Sequence, residues 1–170
     1  IWSQSLAENL FLKIKDYLEP ILFGSEYITT DWWQGNKQRT RWVLSGMSPL
    51  LRFMRYEKGG EHYAHYDAGY IYKDDNIRTL KSVVIYLTTC EDGTGGTTRF
   101  IKDGQRNIPI WDRNHLDWAR KTEENEVIAK SRPIQGNILI FNHRECHDVE
   151  EYLGDTPRII IRTDLIYQSI

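Results

Sequence analysis

Cysteine is nearly absent from this chain of 170 residues, which contains only Cys90 and Cys146. Two cysteines far apart in the sequence form neither a disulfide framework nor a Cys-x-x-Cys zinc pattern. A reducing compartment is therefore the default expectation, and no structural zinc ribbon or disulfide scaffold is predicted.

Long apolar runs and an excess of basic charge are also missing. No stretch of about 18 consecutive apolar residues occurs, so the sequence predicts no transmembrane helix, and no signal-like apolar segment is seen near Ile1. The formal net charge of −2 argues against a nucleic-acid binder, which normally presents a basic face. We therefore expect neither a nucleic-acid nor a membrane partner, and a cytoplasmic location by default.

The first part of the chain has the pattern of one amphipathic helix. Between Ser3 and Leu18 the apolar residues recur at three- and four-residue spacings, with Ser3 or Ser5 as a candidate N-cap and Pro20 just past the end. The segment that follows contains several glycines and is predicted to consist mostly of loops before the core begins, with one strand at Arg41–Leu44.

From Pro49 onward the hydrophobic period changes to two, which is the period of β-strands. Eight or so short strands after one helix predict a mainly β (α+β) fold, a double-stranded β-helix or jelly-roll with the helix packed on one sheet. We expect a single domain over 1–170, with helical support at 1–48 and the jelly-roll core at 49–168. The strands are predicted at Leu50–Tyr56, Glu61–Asp67, Thr79–Leu87, Thr97–Ile101, Val127–Lys130, Gly136–Phe141, His147–Tyr152 and Arg158–Tyr167.

One polar stretch, Lys102–Asn125, interrupts the strand pattern. A connection of this length in a compact β domain is usually a lid, a binding loop or a short helix, and Asn114–Lys121 is the candidate helix. Its two tryptophans, Trp111 and Trp118, could line a substrate mouth, although aromatic residues in an insert more often anchor it to the body. We therefore predict an insert or lid at 102–125.

The strongest chemical signal is the pair His65 and Asp67. In an extended segment, residues two apart share one face, so the imidazole and the carboxylate would point into the same cavity. A third metal ligand is available far downstream, at His143 or His147. Two histidines and one carboxylate on one face of a metal leave coordination positions open, the arrangement of non-haem Fe(II) oxygenases.

Three other candidate residues receive structural roles. His62 precedes His65 by an odd number of residues, so it is predicted to face away from the cavity. His115 is predicted to be a solvated loop residue. Cys146, next to His147, is expected to point to the opposite side and to pack in the interior.

A series of motifs in a fixed order resembles the 2-oxoglutarate and Fe(II)-dependent oxygenases of the prolyl 4-hydroxylase type. The resemblance runs from about Leu51 to Tyr167 and does not include the insert. The motifs are Tyr56, Gly59-Gly60, His65-x-Asp67, Tyr86-Leu87, Gly95-Gly96-x-Thr98-x-Phe100, Gly136-x-x-x-x-Phe141, His147-x-Val149 and Arg158.

The resemblance implies that His65, Asp67 and His147 hold the iron, and it favours His147 over His143 as the third ligand. It also implies the cosubstrates 2-oxoglutarate and O2, and it allows ascorbate as an accessory reductant. The family's halogenating relatives lack the carboxylate at the position of Asp67. Its presence here favours hydroxylation, or another iron-dependent oxidation, over halogenation.

The resemblance further implies a 2-oxoglutarate site. Arg158 would pair with the distal carboxylate, because a planar guanidinium grips a carboxylate through two parallel hydrogen bonds. Tyr86 and Tyr56 would hydrogen-bond the cosubstrate. Arg162 lies four residues further along the same strand face, so it is the next candidate for the clamp or could face the substrate.

The function implied is a dioxygenase that hydroxylates an aliphatic C–H bond of an amino-acid side chain and releases succinate and CO2. The partner would be a peptide or protein, or an amino-acid-type small molecule. Two alternatives remain open. A zinc hydrolase could use the same two histidines and carboxylate, and a non-catalytic jelly-roll module could carry a structural or degenerate metal site.

Overall fold

The N-terminal helix is present as the periodicity predicts. The computed structural model describes residues 1–23, 41–72, 76–105, 108, 114 and 119–170. Helix α1 spans Gln4–Ile14, and the hydroxyl of Ser3 caps it by accepting a hydrogen bond from the backbone N–H of Leu6. A 3-10 turn at Lys15–Tyr17 follows and leads into the first strand. No helix in these ranges is long and apolar enough to cross a membrane.

The described strands form two antiparallel sheets. In chain order the strands are β1 (Ile21–Phe23), β2 (Arg41–Met47), β3 (Arg52–Tyr56), β4 (His62–His65), β5 (Ile77–Tyr86), β6 (Thr98–Ile101), β7 (Val127–Ser131), β8 (Ile138–Asn142), β9 (His147–Val149) and β10 (Arg158–Ser169). The larger sheet has the order β1-β2-β10-β5-β8, with β3 also paired to β10, and the smaller sheet has the order β4-β9-β6-β7. This mainly β fold of two curled antiparallel sheets is the predicted jelly-roll.

Successive side chains of the long strand β5 point to opposite faces of the larger sheet and pack into two separate hydrophobic cores. Val83 and Ile85 face the side covered by α1, where they pack in one buried cluster with Ala7. Val84 and Tyr86 face the other sheet and belong to a second cluster. Because each buried aliphatic side chain contributes about 1.5–3 kcal/mol, both faces of this strand are strongly specified.

Strand β10 crosses the centre of the larger sheet. It pairs with β5 on one side, and with β3 and then β2 on the other. In the register with β3, Arg158 lies opposite Tyr56, Ile160 opposite Met54, and Arg162 opposite Arg52. These pairs lie on the interior face, so β10 and β3 together form one wall of the space between the sheets.

Some predicted boundaries differ from the structure. β9 ends at Val149 rather than Tyr152, because Tyr152 turns to form an isolated bridge with Gly95 and its backbone N–H donates to Gly60. The loop-rich segment before Pro49 contributes two strands, β1 and β2. Half of the predicted helix at Asn114–Lys121 lies outside the described residues, as do His115, Trp111 and Trp118.

The described ends of the insert are held against the smaller sheet. The backbone N–H of Lys102 donates to the carbonyl of Glu126, so the two ends of the insert lie next to each other. Near its end the chain runs beside β4, where Ala119 donates to the carbonyl of Ala64 and the N–H of Ala64 donates to Arg120. This pairing covers part of the free edge of β4, the strand that carries His65.

Candidate metal centre

The three predicted ligands converge between the sheets. His65 ends β4 and His147 begins β9, and the two residues are direct cross-strand partners. Asp67 lies just past β4, with its Oδ1 4.0 Å from Nε2 of His65 and its Oδ2 3.8 Å from Nε2 of His147. One ligand atom from each of the three residues lies within 4.8 Å of the others, which is close enough for one metal ion to contact all three.

Backbone carbonyls orient both imidazoles. Nδ1 of His65 lies 2.7 Å from the carbonyl oxygen of Tyr63, and Nδ1 of His147 lies 2.9 Å from that of Glu145. A carbonyl oxygen can only accept, so each Nδ1 carries the hydrogen and each Nε2 keeps its lone pair. Each lone pair points toward Asp67 and is free to bind a metal ion, as a metal-binding histidine requires.

The protonation states also suit a metal. Burial lowers the pKa values of His65 and His147, because it disfavours the charged imidazolium. Burial alone would raise the pKa of Asp67, but the nearby Arg162 guanidinium and the Ser82 hydroxyl lower it below its ordinary value. Two neutral imidazoles and one carboxylate are the forms that coordinate a divalent cation.

The carboxylate of Asp67 is held from two sides. Nη2 of Arg162 lies 3.0 Å from Oδ1, and the hydroxyl of Ser82 donates to Oδ2. The same Nη2 lies 3.3 Å from Oδ1 of Asp164, which is itself buried. Arg162 therefore contacts the metal end of the cavity, whereas its predicted roles were the 2-oxoglutarate clamp or a residue that faces the substrate.

Two other histidines lie near this centre. The prediction that His62 faces away is wrong, because an irregularity in the β4–β9 register between His62 and His65 breaks the alternation. The His62 ring stacks on that of His65 at 4.0 Å and lines the cavity. The rival ligand His143 is buried elsewhere, with Nε2 3.1 Å from Oδ1 of Asp164, and it is absent from the three-residue ligand cluster.

Arg158 lies at the deep end of the same cavity. It is 0% exposed, and its Nε and Nη1 have no hydrogen-bond partner among the described residues. Nη2 lies 3.4 Å from Oγ1 of Thr98, and Cζ stands 4.6 Å from the centre of the Tyr56 ring. A buried guanidinium with unfilled donors is costly unless an anion fills them, so this end of the cavity fits a carboxylate ligand.

The two predicted tyrosines lie on either side of Arg158. Tyr56 lines the cavity, and burial raises the pKa of its hydroxyl while Arg158 opposes the rise. Tyr86 is not among the lining residues. Its hydroxyl oxygen lies 3.0 Å from Oγ1 of Thr98 and 3.2 Å from Oγ of Ser131, so in this structure it helps to orient Thr98, which does line the cavity.

The cavity between the two ends has a volume of about 190 Å³. Its middle is a belt of apolar side chains that separates the arginine end from the histidine end. The belt consists of Met54, Val84, Phe141, Val149 and Ile160. A ligand that matches this cavity is anionic at its deep end and apolar in the middle, and it reaches a metal at the other end.

Three residues of the site were missed by sequence reasoning. Ser82 contacts Asp67, Thr98 contacts Arg158, and Arg52 lines the cavity beside Arg162. The signal for Ser82 was available, because it lies four residues before Tyr86 on the same face of a predicted strand. Cys146 behaves as predicted: it packs with Ala64 and Ile101, and burial raises the pKa of its thiol to about 11.

Several solved structures resemble the chain at low sequence identity. A viral collagen prolyl hydroxylase, vCPH from Paramecium bursaria Chlorella virus-1, in a 2OG complex, is 17% identical, with 97% of this chain and 69% of that chain covered and a TM-score of 0.43. A Pseudomonas putida prolyl-4-hydroxylase is 15% identical, with 95% and 81% covered and a TM-score of 0.42. Iron-bound HygX from Streptomyces hygroscopicus is 12% identical, with 96% and 78% covered and a TM-score of 0.44.

The family assignment comes from the sequence rather than from these likenesses. No curated protein matches the chain. The sequence profile described as the 2OG-Fe(II) oxygenase superfamily matches residues 51–163, a range that contains both ends of the cavity and most of the chain. With two imidazoles and a carboxylate at one end of that cavity and an unfilled buried guanidinium at the other, the chain belongs to the 2OG-Fe(II) oxygenase superfamily.

Proposed function

We propose that this chain is a dioxygenase that hydroxylates an aliphatic C–H bond of an amino-acid side chain, in a peptide or protein or in an amino-acid-type small molecule. The observation that carries the proposal is a single cavity with a ligand triad at one end and a buried guanidinium, Arg158, with two unfilled donors at the other. The succinate and CO2 released come from the 2-oxoglutarate consumed.

We assign the metal to His65, Asp67 and His147. Three ligands on one side of an Fe(II) ion leave positions for a bidentate cosubstrate and for O2. Bound iron supplies the chemistry that couples oxidative decarboxylation of 2-oxoglutarate to insertion of one oxygen atom into a substrate C–H bond. The chain's own contribution is to keep both Nε2 atoms unprotonated, to hold Asp67 ionised and to shield the site from bulk water.

We assign the distal carboxylate of 2-oxoglutarate to Arg158. Its unfilled donors, Nε and Nη1, favour hydrogen bonds to a carboxylate, and full burial makes such charge-assisted bonds strong. Tyr56 covers the face of the guanidinium and can donate to the same carboxylate. Tyr86 acts on the cosubstrate through Thr98, whose hydroxyl it orients.

Arg162 has a different role in this proposal. It lies four residues after Arg158 on the same face of β10, which is a distance of about 13 Å along the strand. Its Nη2 already contacts Asp67 and Asp164, which places the guanidinium at the metal end, and its buried Nε has no hydrogen-bond partner among the described residues. We therefore assign it to positioning Asp67 rather than to gripping the cosubstrate.

The test is an anaerobic titration followed by admission of oxygen. With Fe(II) and 2-oxoglutarate, the protein should develop the weak visible metal-to-ligand band of a chelated cosubstrate, and oxygen should then produce succinate. His147→Ala should abolish iron binding, whereas Arg158→Ala should raise the 2-oxoglutarate concentration that gives half of the band by about 10- to 100-fold, the loss expected for charge-assisted hydrogen bonds. No band and no succinate would contradict the proposal.

A zinc hydrolase with the same triad predicts a different result. Such an enzyme would bind Zn(II) and cleave esters or amides without any response to 2-oxoglutarate. It would also leave the unfilled donors of Arg158 without a function. If Arg158→Ala changed neither cosubstrate binding nor activity, the hydrolase would become the better proposal.

A further inference from the structure

The cavity carries a third arginine, Arg52, that neither the metal nor the cosubstrate requires. Arg52 faces Arg162 across the β3–β10 pair and lines the cavity at its outer end. Its side chain is 43% exposed, whereas that of Arg162 is 15% exposed and Arg158 is fully buried. Along the interior face of β10 and β3, the buried cation Arg158 therefore comes first, the apolar pair Ile160 and Met54 follows, and the exposed cation Arg52 lies at the mouth of the cavity.

The ion pair of Arg52 is the loosest in its group. Its Nη1 lies 3.4 Å from Oδ2 of Asp164, while Oδ1 of Asp164 lies 3.1 Å from Nε2 of His143 and 3.3 Å from Nη2 of Arg162. A single long contact uses one of the five N–H donors of a guanidinium. The remaining donors of Arg52 are partly solvated and can bind a second anion.

The charge of the loaded cavity points the same way. Among the described residues, the cavity is lined by the guanidiniums of Arg52, Arg158 and Arg162 and the carboxylate of Asp67, and with Asp164, which pairs with Arg52 and Arg162, the three cations exceed the two carboxylates by one positive charge. An Fe(II) ion and a 2-oxoglutarate dianion cancel each other. One positive charge is left over, and Arg52 carries it at the only exposed position of the three.

The position of Arg52 also limits the distance between the bound anion and the reacting carbon. Directly opposed residues of an antiparallel pair have α-carbons about 4.5–5.5 Å apart, and Arg162, the partner of Arg52, contacts Asp67 at 3.0 Å. His62 stands beside the same opening, stacked on His65. An anion held by Arg52 would thus lie at the metal end of the cavity rather than at the Arg158 end.

Resting on the proposed function, we propose that Arg52 forms a carboxylate subsite for the substrate, so that the substrate is an acid whose carboxylate belongs to the residue that is oxidised. Two sources share this chemistry, a free amino acid and the carboxy-terminal residue of a peptide. A side chain in the middle of a polypeptide has no such carboxylate and would not use the subsite.

The experiment compares acids with their amides. The protein is loaded anaerobically with Fe(II) and 2-oxoglutarate, and the probes are the free L-amino acids, the corresponding L-amino-acid amides, and dipeptides with each residue at the carboxyl end. The readouts are the change in the visible band on adding a probe and the succinate formed on admitting oxygen. At least one acid should change the band or stimulate succinate formation at a concentration about tenfold or more below that of its amide. The dipeptides show whether the substrate is a free amino acid or the carboxy-terminal residue of a peptide.

Variants of β3 test the residue itself. Arg52→Met should remove the preference for acid over amide, and Arg52→Lys should retain part of it because the charge remains. Arg55→Met is the matched control, because Arg55 lies on the outer face of the same strand and pairs with Glu57 at 2.6 Å, and it should leave the preference intact. If Arg52→Met does not fold, the proposal is tested by Arg52→Lys, which should show a partial loss of the preference for acid over amide.

The outcomes separate this proposal from the proposed function. If the band and succinate form with 2-oxoglutarate but no acid outperforms its amide, the subsite is wrong and the dioxygenase stands. The same conclusion follows if Arg52→Lys and Arg55→Met are indistinguishable. If neither band nor succinate forms under any condition, both proposals fail.

Discussion

The guanidinium of Arg162 and the carboxylate of Asp67 meet at 3.0 Å, and the hydroxyl of Ser82 donates to the other carboxylate oxygen. Both oxygens of a candidate metal ligand are therefore restrained before any metal is present. Groups that orient a ligand from behind typically change metal affinity 10- to 100-fold when removed. Arg162 and Ser82 fit this description.

Replacing Arg162 tests this role directly. Arg162→Met should weaken Co(II) or Fe(II) binding by about 10- to 100-fold, because Asp67 loses the cation that holds it ionised and in place. At saturating metal, the 2-oxoglutarate concentration for half of the visible band should change little. Ser82→Ala should weaken metal binding in the same direction. If Arg162→Met instead raised the 2-oxoglutarate requirement as Arg158→Ala does, Arg162 would be the clamp.

A second prediction concerns the backbone behind Arg158. Gly96 has a φ of +71°, and a Cβ added there would lie 2.9 Å from Cδ2 of Tyr152 and 3.1 Å from Cδ of Arg158. Gly96→Ala should therefore cost about 1–2 kcal/mol of unfolding free energy from its left-handed backbone, and it should also displace the Arg158 stem and raise the 2-oxoglutarate requirement.

Gly93 provides the matched control for this prediction. Its φ of +77° is similar, but nothing lies within 4 Å of an added Cβ. Gly93→Ala should lose only the backbone cost of about 1–2 kcal/mol by chemical denaturation and leave the anaerobic 2-oxoglutarate titration unchanged. Equal effects of the two variants on that titration would show that Gly96 acts only through backbone strain.

The fold was largely predictable because its periodicities are strong. The three- and four-residue spacing before Leu18 and the alternation from Pro49 onward correspond to α1 and to the strands. The limits of β9 were not predictable, since the partner of Tyr152 is Gly95, more than fifty residues away in sequence. Local pattern carries no information about such a bridge.

The candidate site was predictable where residues two apart share a strand face. His65 and Asp67 point into one cavity, and Arg158 and Arg162 line the same wall. His62 was misplaced because one irregularity in register reverses the expected face. The assignment of Arg162 could not come from sequence, because Asp67 lies nearly a hundred residues earlier and only the packed sheets bring the pair together.

A third prediction concerns the buried ion pair behind His147. Nε and Nη2 of Arg99 donate to the two oxygens of Asp148 at 2.9 and 2.6 Å, and these residues are register partners beside the pair Phe100 and His147. Asp148→Asn should lower the unfolding free energy by about 3 kcal/mol, because it leaves a buried guanidinium with only the longer contact of its Nη1 to the exposed Glu124 at 3.5 Å. Urea unfolding at an unchanged m-value would measure this loss.

Two further variants separate burial from pairing. The double change Arg99→Met with Asp148→Leu should recover most of the stability, since both buried charges are removed together. Arg132→Met breaks the exposed pair with Asp92 and should cost less than about 1 kcal/mol. A double variant as unstable as Asp148→Asn alone would mean that the pair is required for the β6–β9 register.

The last prediction is a pH dependence at the end of the insert. Hydrogen bonds from Arg120, and then from the backbone N–H of Glu123, lower the pKa of Glu126 from 4.5 to about 2. A depressed carboxyl pKa contributes stability that is complete above pH 4.5 and is lost as the pH falls toward 2. Because the pair is partly solvated, Glu126→Gln should cost at most about 1 kcal/mol at pH 7 and much less at pH 3.

Thermal unfolding of both proteins at the two pH values measures the difference, and hydrogen exchange at the amide of Ala64 reports the local effect. That amide donates to the carbonyl of Arg120, so loosening the Arg120–Glu126 pair should speed its exchange at pH 7. Arg120→Met should reproduce the change, and adding Glu126→Gln to it should have little further effect if the two side chains act as a pair. A destabilisation that is the same at pH 7 and pH 3 would mean that the charge of Glu126 does not hold this segment against β4.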